Sequence, residues 1–301
     1  MVDALKMLPN LQRLFIRSTT CRIEIPFHLF TALQHIDVQC SSELMFDMAY
    51  GLKTFENIVK MISESPLLQS IRLSNEPTFG GTTRSLHQLL ECYPETIPPL
   101  QLKDLSLKNF YVRFDDETVM RHLKHLTALS LECIPEPPSL DSDGSDSIQI
   151  DILEKQARWG STDEQIWTAI SNTDLRLEAI NLDTTPLAFL EYIASYSGLK
   201  KLKFATSGGF TDGVTSDNGA NKFYEALKNH ADSIEDLDVT THFEGLWCFG
   251  HHNLAVFSTL KHLRVLSVTV RLKDFIPSSK SKRSSSKNII VSLLGLFSNA
   301  N

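Results

Sequence analysis

Aliphatic side chains recur along the chain with one spacing, Leu-x-x-Leu-x-Leu, in which other aliphatic residues can replace leucine. The second and third of these positions are two residues apart, so they face the same side of a short strand. One such strand cannot bury its apolar side alone, whereas stacked copies can do so as a parallel sheet. The nine copies begin at Leu11, Leu33, Leu68, Leu102, Leu126, Leu177, Leu199, Ile234 and Leu263.

The central apolar position of each copy should be buried, and the nine positions together should form one ladder through the core. The polar residues beside them should point to the opposite face of the sheet. The predicted ladder consists of Leu14, Ile36, Ile71, Leu105, Leu129, Ile180, Leu202, Leu237 and Leu266.

Most segments between the copies have apolar residues at helical spacing, which predicts helices that return the chain from one strand to the next. Strands that alternate with helices are typical of α/β folds. We expect helices over 52–62 before Pro66, after Asp115 and Asp116, after a capping box of Ser161 or Thr162 with Glu164 or Gln165, over 186–193, and around Phe223, Tyr224 and Leu227.

With these copies in register, nearly the whole chain resembles the leucine-rich-repeat family. The resemblance implies a single domain over 1–301, an α/β solenoid with a curved parallel sheet on its concave side and helices on its convex side. The family usually has Asn or Cys at the ninth position, which bonds the turn backbone. This chain has Thr19, Ser41, Glu76, Phe110, Ile134, Thr185, Ser207, His242 and Arg271 there, while Cys40, Asn75, Asn109 and Cys133 lie one place earlier.

Long, uneven repeats with a Leu8-Pro9-Asn10-Leu11 lead-in look like the repeat region of F-box/leucine-rich-repeat proteins. That resemblance implies that the repeats recognise a substrate for a cullin-type ubiquitin ligase. An F-box in a missing N-terminal region would then bind the ligase. The alternatives are a scaffold or signalling adaptor without a link to ubiquitin and, with less support, an enzyme built on a solenoid.

In such a coil, the residues that flank the buried strand positions line the concave surface. Their side chains are polar and of mixed charge, with one aromatic residue near the start, which favours a specific protein partner. For any single residue, an ordinary solvated strand position is the favoured interpretation, and the binding face is predicted from the residues as a set. The predicted partner-binding residues are Arg13, Phe15, Arg17, His35, Asp37, Arg72, Asp104, Lys108, Asn181, Asp183, Lys201, Lys203, Asp236 and Asp238.

Three segments interrupt the repeats. Residues 135–150 combine prolines with a Ser/Asp run and predict a disordered acidic insertion, and a calcium loop is disfavoured because flanking helices and a closing Glu are missing. Residues 207–221 contain four glycines and predict a surface loop; they lack the context of a phosphate-binding loop. Residues 277–288 are basic and Ser-rich, which predicts a solvated linker or, alternatively, a nuclear import sequence or a contact with an acidic partner.

Composition narrows the function further. The formal net charge of −7 makes nucleic acid an unlikely partner. Five scattered cysteines without Cys-x-x-Cys spacing predict reduced thiols and an intracellular protein, cytoplasmic or nuclear. We also expect no membrane span, because no run of about 18 apolar residues occurs.

No catalytic motif is apparent, so we expect neither an enzyme nor a cofactor. His122 and His125, and the group His251, His252 and His262, could suggest metal ligands, but no third ligand accompanies the first pair. The last residues resemble the lead-in to the first copy, which predicts that the sequence is a fragment or a truncated gene model of a longer repeat array.

Overall fold

The structure is a computed structural model. Its contacts divide the chain into two compact units, Met1–Leu175 and Arg176–Asn301. Each unit combines parallel strands with helices, so the predicted α/β class is confirmed. The solenoid and the single domain over 1–301 stay predictions. The described residues are 8, 10–18, 30, 32–40, 48–75, 84–137, 158, 160–205, 213–241, 244–271 and 274.

In the first unit, five parallel strands pair in the order β1-β2-β3-β5-β7, and β4 pairs with β6 beside them. Helices follow or precede most of these strands in the sequence. The elements are β1 (Arg13–Ser18), β2 (His35–Cys40), α1 (Met48–Glu64), β3 (Ser70–Asn75), β4 (Arg84–Ser85), α2 (Leu86–Leu90), β5 (Asp104–Lys108), β6 (Phe110–Tyr111), α3 (Glu117–Leu123), β7 (Ala128–Glu132) and α4 (Asp163–Ser171).

In the second unit, four parallel strands pair in the order β8-β9-β10-β11, with one helix between each pair of strands in the sequence. The elements are β8 (Ala179–Leu182), α5 (Leu187–Ala194), β9 (Lys201–Ala205), α6 (Gly213–Lys228), β10 (Asp236–Thr240), α7 (Leu254–Phe257) and β11 (Val265–Val268).

The predicted ladder residues lie directly opposite one another on neighbouring strands within each unit. Seven of the nine are buried, which confirms their predicted inward orientation. Leu14 and Leu266 are only half-buried; they lie on β1 and β11, each of which pairs with a strand on one side. The register runs Leu14, Ile36, Ile71, Leu105, Leu129 in the first unit and Ile180, Leu202, Leu237, Leu266 in the second.

The predicted helices are confirmed, with their caps. The Thr162 side chain accepts from the Gln165 N–H, and the Gln165 side chain accepts from the Thr162 N–H, which completes a capping box before α4. Asp116 caps α3 by accepting from the Thr118 N–H. Pro186 precedes the first turn of α5. The short helices α2 and α7 were not predicted.

The predicted loop over 207–221 is wrong for its second half, because residues 213–221 belong to α6. Gly219 and Ala220 are buried in that helix together with Phe223, and a helix whose later turns are held by such packing extends back through polar residues. Residues 207–212, most of the acidic segment 135–150 and the basic segment 277–288 lie outside the described residues.

None of the described helices has both the length and the apolar character that a membrane span requires.

Candidate functional site

The outward-pointing side chains of β1, β2, β3, β5 and β7 form what we call the first strand face. They alternate with the buried ladder residues, as the period of a strand requires. Parallel pairing brings them into rows across the strands, and one row contains Phe15, Asp37, Arg72, Ser106 and Ser130. The eight residues from Arg13 to Lys108 that were predicted to bind a partner all lie on this face.

Arg72 on β3 forms an ion pair with Asp104 on the neighbouring strand β5. Its Nη2 and Nε lie 2.6 and 3.0 Å from Oδ2 of Asp104, and the Ser70 hydroxyl donates to the same oxygen at 3.1 Å. The Arg72 side chain remains 55% exposed. Its charge is therefore largely balanced within the face, although the guanidinium stays accessible.

Phe15 and Arg17 are both exposed on this face. Phe15 is 59% exposed, and the Arg17 guanidinium carbon lies 5.8 Å from the centre of its ring. Arg17 donates from Nε and Nη2 to Oε1 of Gln39 at 3.2 and 3.0 Å, and Gln39 donates to Asp37 at 3.3 Å. This hydrogen-bonded chain holds the guanidinium beside the ring and restricts the side chain before any partner arrives.

The outward-pointing side chains of β8, β9, β10 and β11 form the second strand face, which we describe separately. Here a basic strand lies beside an acidic one. Lys201 is opposite Asp236 and Lys203 is opposite Asp238, with 3.7 Å between Nζ of Lys203 and the Asp238 carboxylate. The predicted residue Asn181 lies on β8, and Asp183 follows the end of that strand.

The predicted site residues thus fall on two faces, eight on the first and six on or beside the second. The sequence analysis did not single out Gln39, which positions Arg17. Its place two residues beyond Asp37 marks it as outward-pointing. Its role could not be inferred, because it depends on the register that places Gln39 opposite Arg17.

His122 is a buried structural residue. It is fully buried, its Nδ1 accepts from the Leu100 N–H at 2.9 Å, and its ring packs edge-on against Tyr93. Burial, together with the nearby Arg121 charge, lowers its pKa to about 4. The ring is therefore neutral at physiological pH, and its hydrogen bond to the Leu100 N–H fixes the segment that leads into β5.

His230 repeats this arrangement in the second unit. It is fully buried, its Nδ1 accepts from the Leu199 N–H at 3.2 Å and its Nε2 donates to the Ile193 carbonyl at 2.9 Å. Burial lowers its pKa. His122 and His230 each lie four residues before the first apolar position of the next copy, so the two histidines occupy the same position in the repeat.

His87 has the most concentrated charge environment away from the strand faces. Its Nδ1 lies 2.5 Å from Oδ2 of Asp116, and its Nε2 lies 3.4 Å from Oε2 of Glu91. Asp116 is also the cap of α3, so these contacts join α2 to α3.

Within the described residues, no three His, Cys, Asp or Glu side chains are grouped as a metal site would need. Comparisons with models of protein families, with curated proteins and with solved structures gave no match for this chain.

Proposed function

We propose that the chain is a leucine-rich-repeat module that binds another protein through its first strand face. The observation that carries this proposal is Phe15, a large aromatic side chain that is 59% exposed in a row of polar strand residues. Aromatic and arginine side chains dominate the binding energy of protein interfaces, and Phe15 lies beside a positioned Arg17. The second strand face, which contains the Lys203–Asp238 ion pair, is proposed as a further contact surface.

The resemblance to F-box/leucine-rich-repeat proteins supports a specific form of this function, in which the bound protein is a substrate for a cullin-type ubiquitin ligase. The leucine-rich-repeat solenoid is part of the same proposal. It is supported by parallel strands whose ladder residues share one register within each unit. No described residue carries the ubiquitin assignment directly, so it needs a separate experiment.

Site-specific photo-crosslinking tests the binding face. A photoreactive phenylalanine at Phe15 should capture a protein partner from extract of the source cells. The same group at Leu67, which is 55% exposed in the turn between α1 and β3, serves as the matched control. We expect a partner that is captured at position 15 and not at position 67. Equal capture at both positions, or none at position 15, would contradict the proposal.

A pull-down with purified cullin-ligase adaptor tests the ubiquitin assignment. Retention of the adaptor together with the partner captured at position 15 would support a substrate receptor. Capture of that partner without any adaptor, also in a longer form of the protein, would favour the scaffold or signalling adaptor.

A further inference from the structure

Three exposed side chains follow one another along the outer side of β1. Arg13, Phe15 and Arg17 are all exposed, and they occupy alternate positions of an extended strand. Alternate side chains of a strand are about 7 Å apart. The surface of β1 therefore presents a positive, an aromatic and a second positive group at regular intervals.

The charge of Arg17 is not balanced in the way that the charge of Arg72 is. Arg17 donates both of its hydrogen bonds to Gln39, a neutral side chain, whereas Arg72 donates to the Asp104 carboxylate. Among the described residues, no carboxylate lies within ion-pair distance of Arg13 or Arg17. Within that part of the chain, these two guanidinium groups have no acidic partner, and both side chains are exposed to solvent.

We propose that β1 binds an extended protein segment in which an acidic, an apolar and an acidic residue occupy alternate positions. This inference rests on the proposed function and names the chemistry of the partner. An extended peptide repeats its side chains at the same interval of about 7 Å, so its two carboxylates can meet Arg13 and Arg17 while its apolar side chain packs on Phe15. Guanidinium groups bind carboxylates through paired hydrogen bonds, which favours this partner over a purely apolar one.

A single-stranded nucleic acid would also use arginines and an aromatic ring, but the surroundings disfavour it. Such proteins carry a positive groove with several stacking rings along the strand. Here β1 offers one ring, and the next strand presents Asp37 in the same row as Phe15. The chain as a whole has a formal net charge of −7, which repels a polyanion beyond this short stretch.

Two peptides of identical composition provide the probe. The first, Gly-Ser-Glu-Ser-Phe-Ser-Glu-Ser-Gly, has the alternating pattern, and the second, Gly-Ser-Phe-Ser-Ser-Glu-Glu-Ser-Gly, does not. We expect the full chain to bind the labelled alternating peptide at least about tenfold more tightly in fluorescence anisotropy. Binding should weaken as salt rises, because exposed charges are screened.

Substitutions on β1 make the test specific. Arg13→Gln and Arg17→Gln should each weaken binding about threefold, the loss of one exposed ion pair. Phe15→Ser should weaken it at least about fivefold. The matched controls are Lys124→Gln, an exposed cation at the C-terminal end of α3, and Leu67→Ser, an equally exposed apolar residue. Both should bind the alternating peptide as the unaltered protein does.

Equal affinity for the two peptides, or Arg17→Gln binding as tightly as the unaltered protein, overturns the inference. Tighter binding of an oligothymidylate that is lost in Phe15→Ser also overturns it, in favour of nucleic acid. If the partner crosslinked at position 15 contacts it through a segment without acidic residues, this inference fails while the proposed function stands. Absence of any crosslinked protein at position 15 removes the proposed function itself.

Discussion

Asn109 and Cys133 both have a left-handed backbone, with φ of 61° and 50°. Each follows its strand directly, β5 or β7, at the eighth place of its copy. The Asn109 N–H donates to the Glu132 carbonyl at 2.9 Å, so this turn is connected to the next strand. Four copies have Asn or Cys at the eighth place in place of the ninth. In two of them, those of Asn109 and Cys133, this residue forms a sharp turn after the strand.

Replacing Cys133 by Asn should raise the free energy of unfolding by about 0.5–1 kcal/mol, because asparagine tolerates the left-handed region better than cysteine does. Urea denaturation at equilibrium measures this change. Cys92→Asn is the control, since Cys92 is also exposed but has no left-handed backbone. A lower midpoint for Cys133→Asn than for the unaltered chain would show that the turn is not strained.

Thr185 has a buried hydroxyl that makes no hydrogen bond within the described structure. The residue is fully buried, so this hydroxyl has lost its water without gaining a partner. Thr185→Val has nearly the same shape and should raise the free energy of unfolding by about 1 kcal/mol. Thr241→Val is the contrasting variant. Its hydroxyl contacts the Cys248 sulfur at 3.3 Å, so its removal should lower the midpoint in the same denaturation experiment.

At the scale of elements, His122 makes the connection between α3 and β5 sensitive to acid. The folded chain holds its pKa near 4, below the ordinary value of 6.5. Between these values the unfolded chain binds more protons, so the free energy of unfolding should decrease as the pH falls from about 6.5 to about 4, by up to about 3 kcal/mol. His230, whose pKa is also lowered, should add to this trend.

Urea midpoints measured at pH 7.5 and 4.5 test this dependence. The unaltered chain should lose stability at the lower pH. His122→Asn, in which a carbonyl can still accept from the Leu100 N–H, should be less stable at neutral pH but less sensitive to acid. His125→Asn, an exposed neighbour, should keep the full sensitivity. If His122→Asn retained the same pH dependence, the buried imidazole would not be its source.

The strands were predictable because each buries a side that alternates regularly with an exposed one, as in β5 and β9. Helix α6 was placed too late in the sequence because its first turns are polar and contain Gly213 and Gly219, which favour loops locally. Tertiary packing of Phe223 and its neighbours outweighs that preference. Helix α2 has only five residues, too few for a helical period to be recognised.

The outward positions of the candidate site were equally predictable, since strand period alone assigns them. The contacts between those positions were not. Arg72 meets Asp104 because β3 pairs with β5, although β4 lies between them in the sequence. Arg17 meets Gln39 only because β1 and β2 align without an offset. Which strands pair, and in which register, is decided only when the sheet forms, so a local sequence pattern cannot predict these contacts.

At the scale of the whole molecule, the division into two units raises the question of whether both unfold in one cooperative transition. A solenoid in which each repeat stabilises its neighbours unfolds as one unit when the interfaces between repeats are strong. Two independent domains would unfold separately. Tryptophan can distinguish these cases, because Trp167 is buried in the first unit and Trp247 in the second. With Trp159 replaced by Phe, each variant that retains one tryptophan reports on one unit.

The predicted single domain over 1–301 requires the two tryptophan probes to report one urea transition. Ile71→Ala, at a fully buried ladder position of the first unit, should then lower both midpoints, with a loss of about 2–5 kcal/mol in the free energy of unfolding. Leu202→Ala, at the corresponding position of the second unit, should do the same. If Ile71→Ala shifts the Trp167 transition and leaves the Trp247 transition in place, the units fold independently. The face around Phe15 that we propose for binding could then be studied in the first unit alone, because its ladder would not need the second unit for stability.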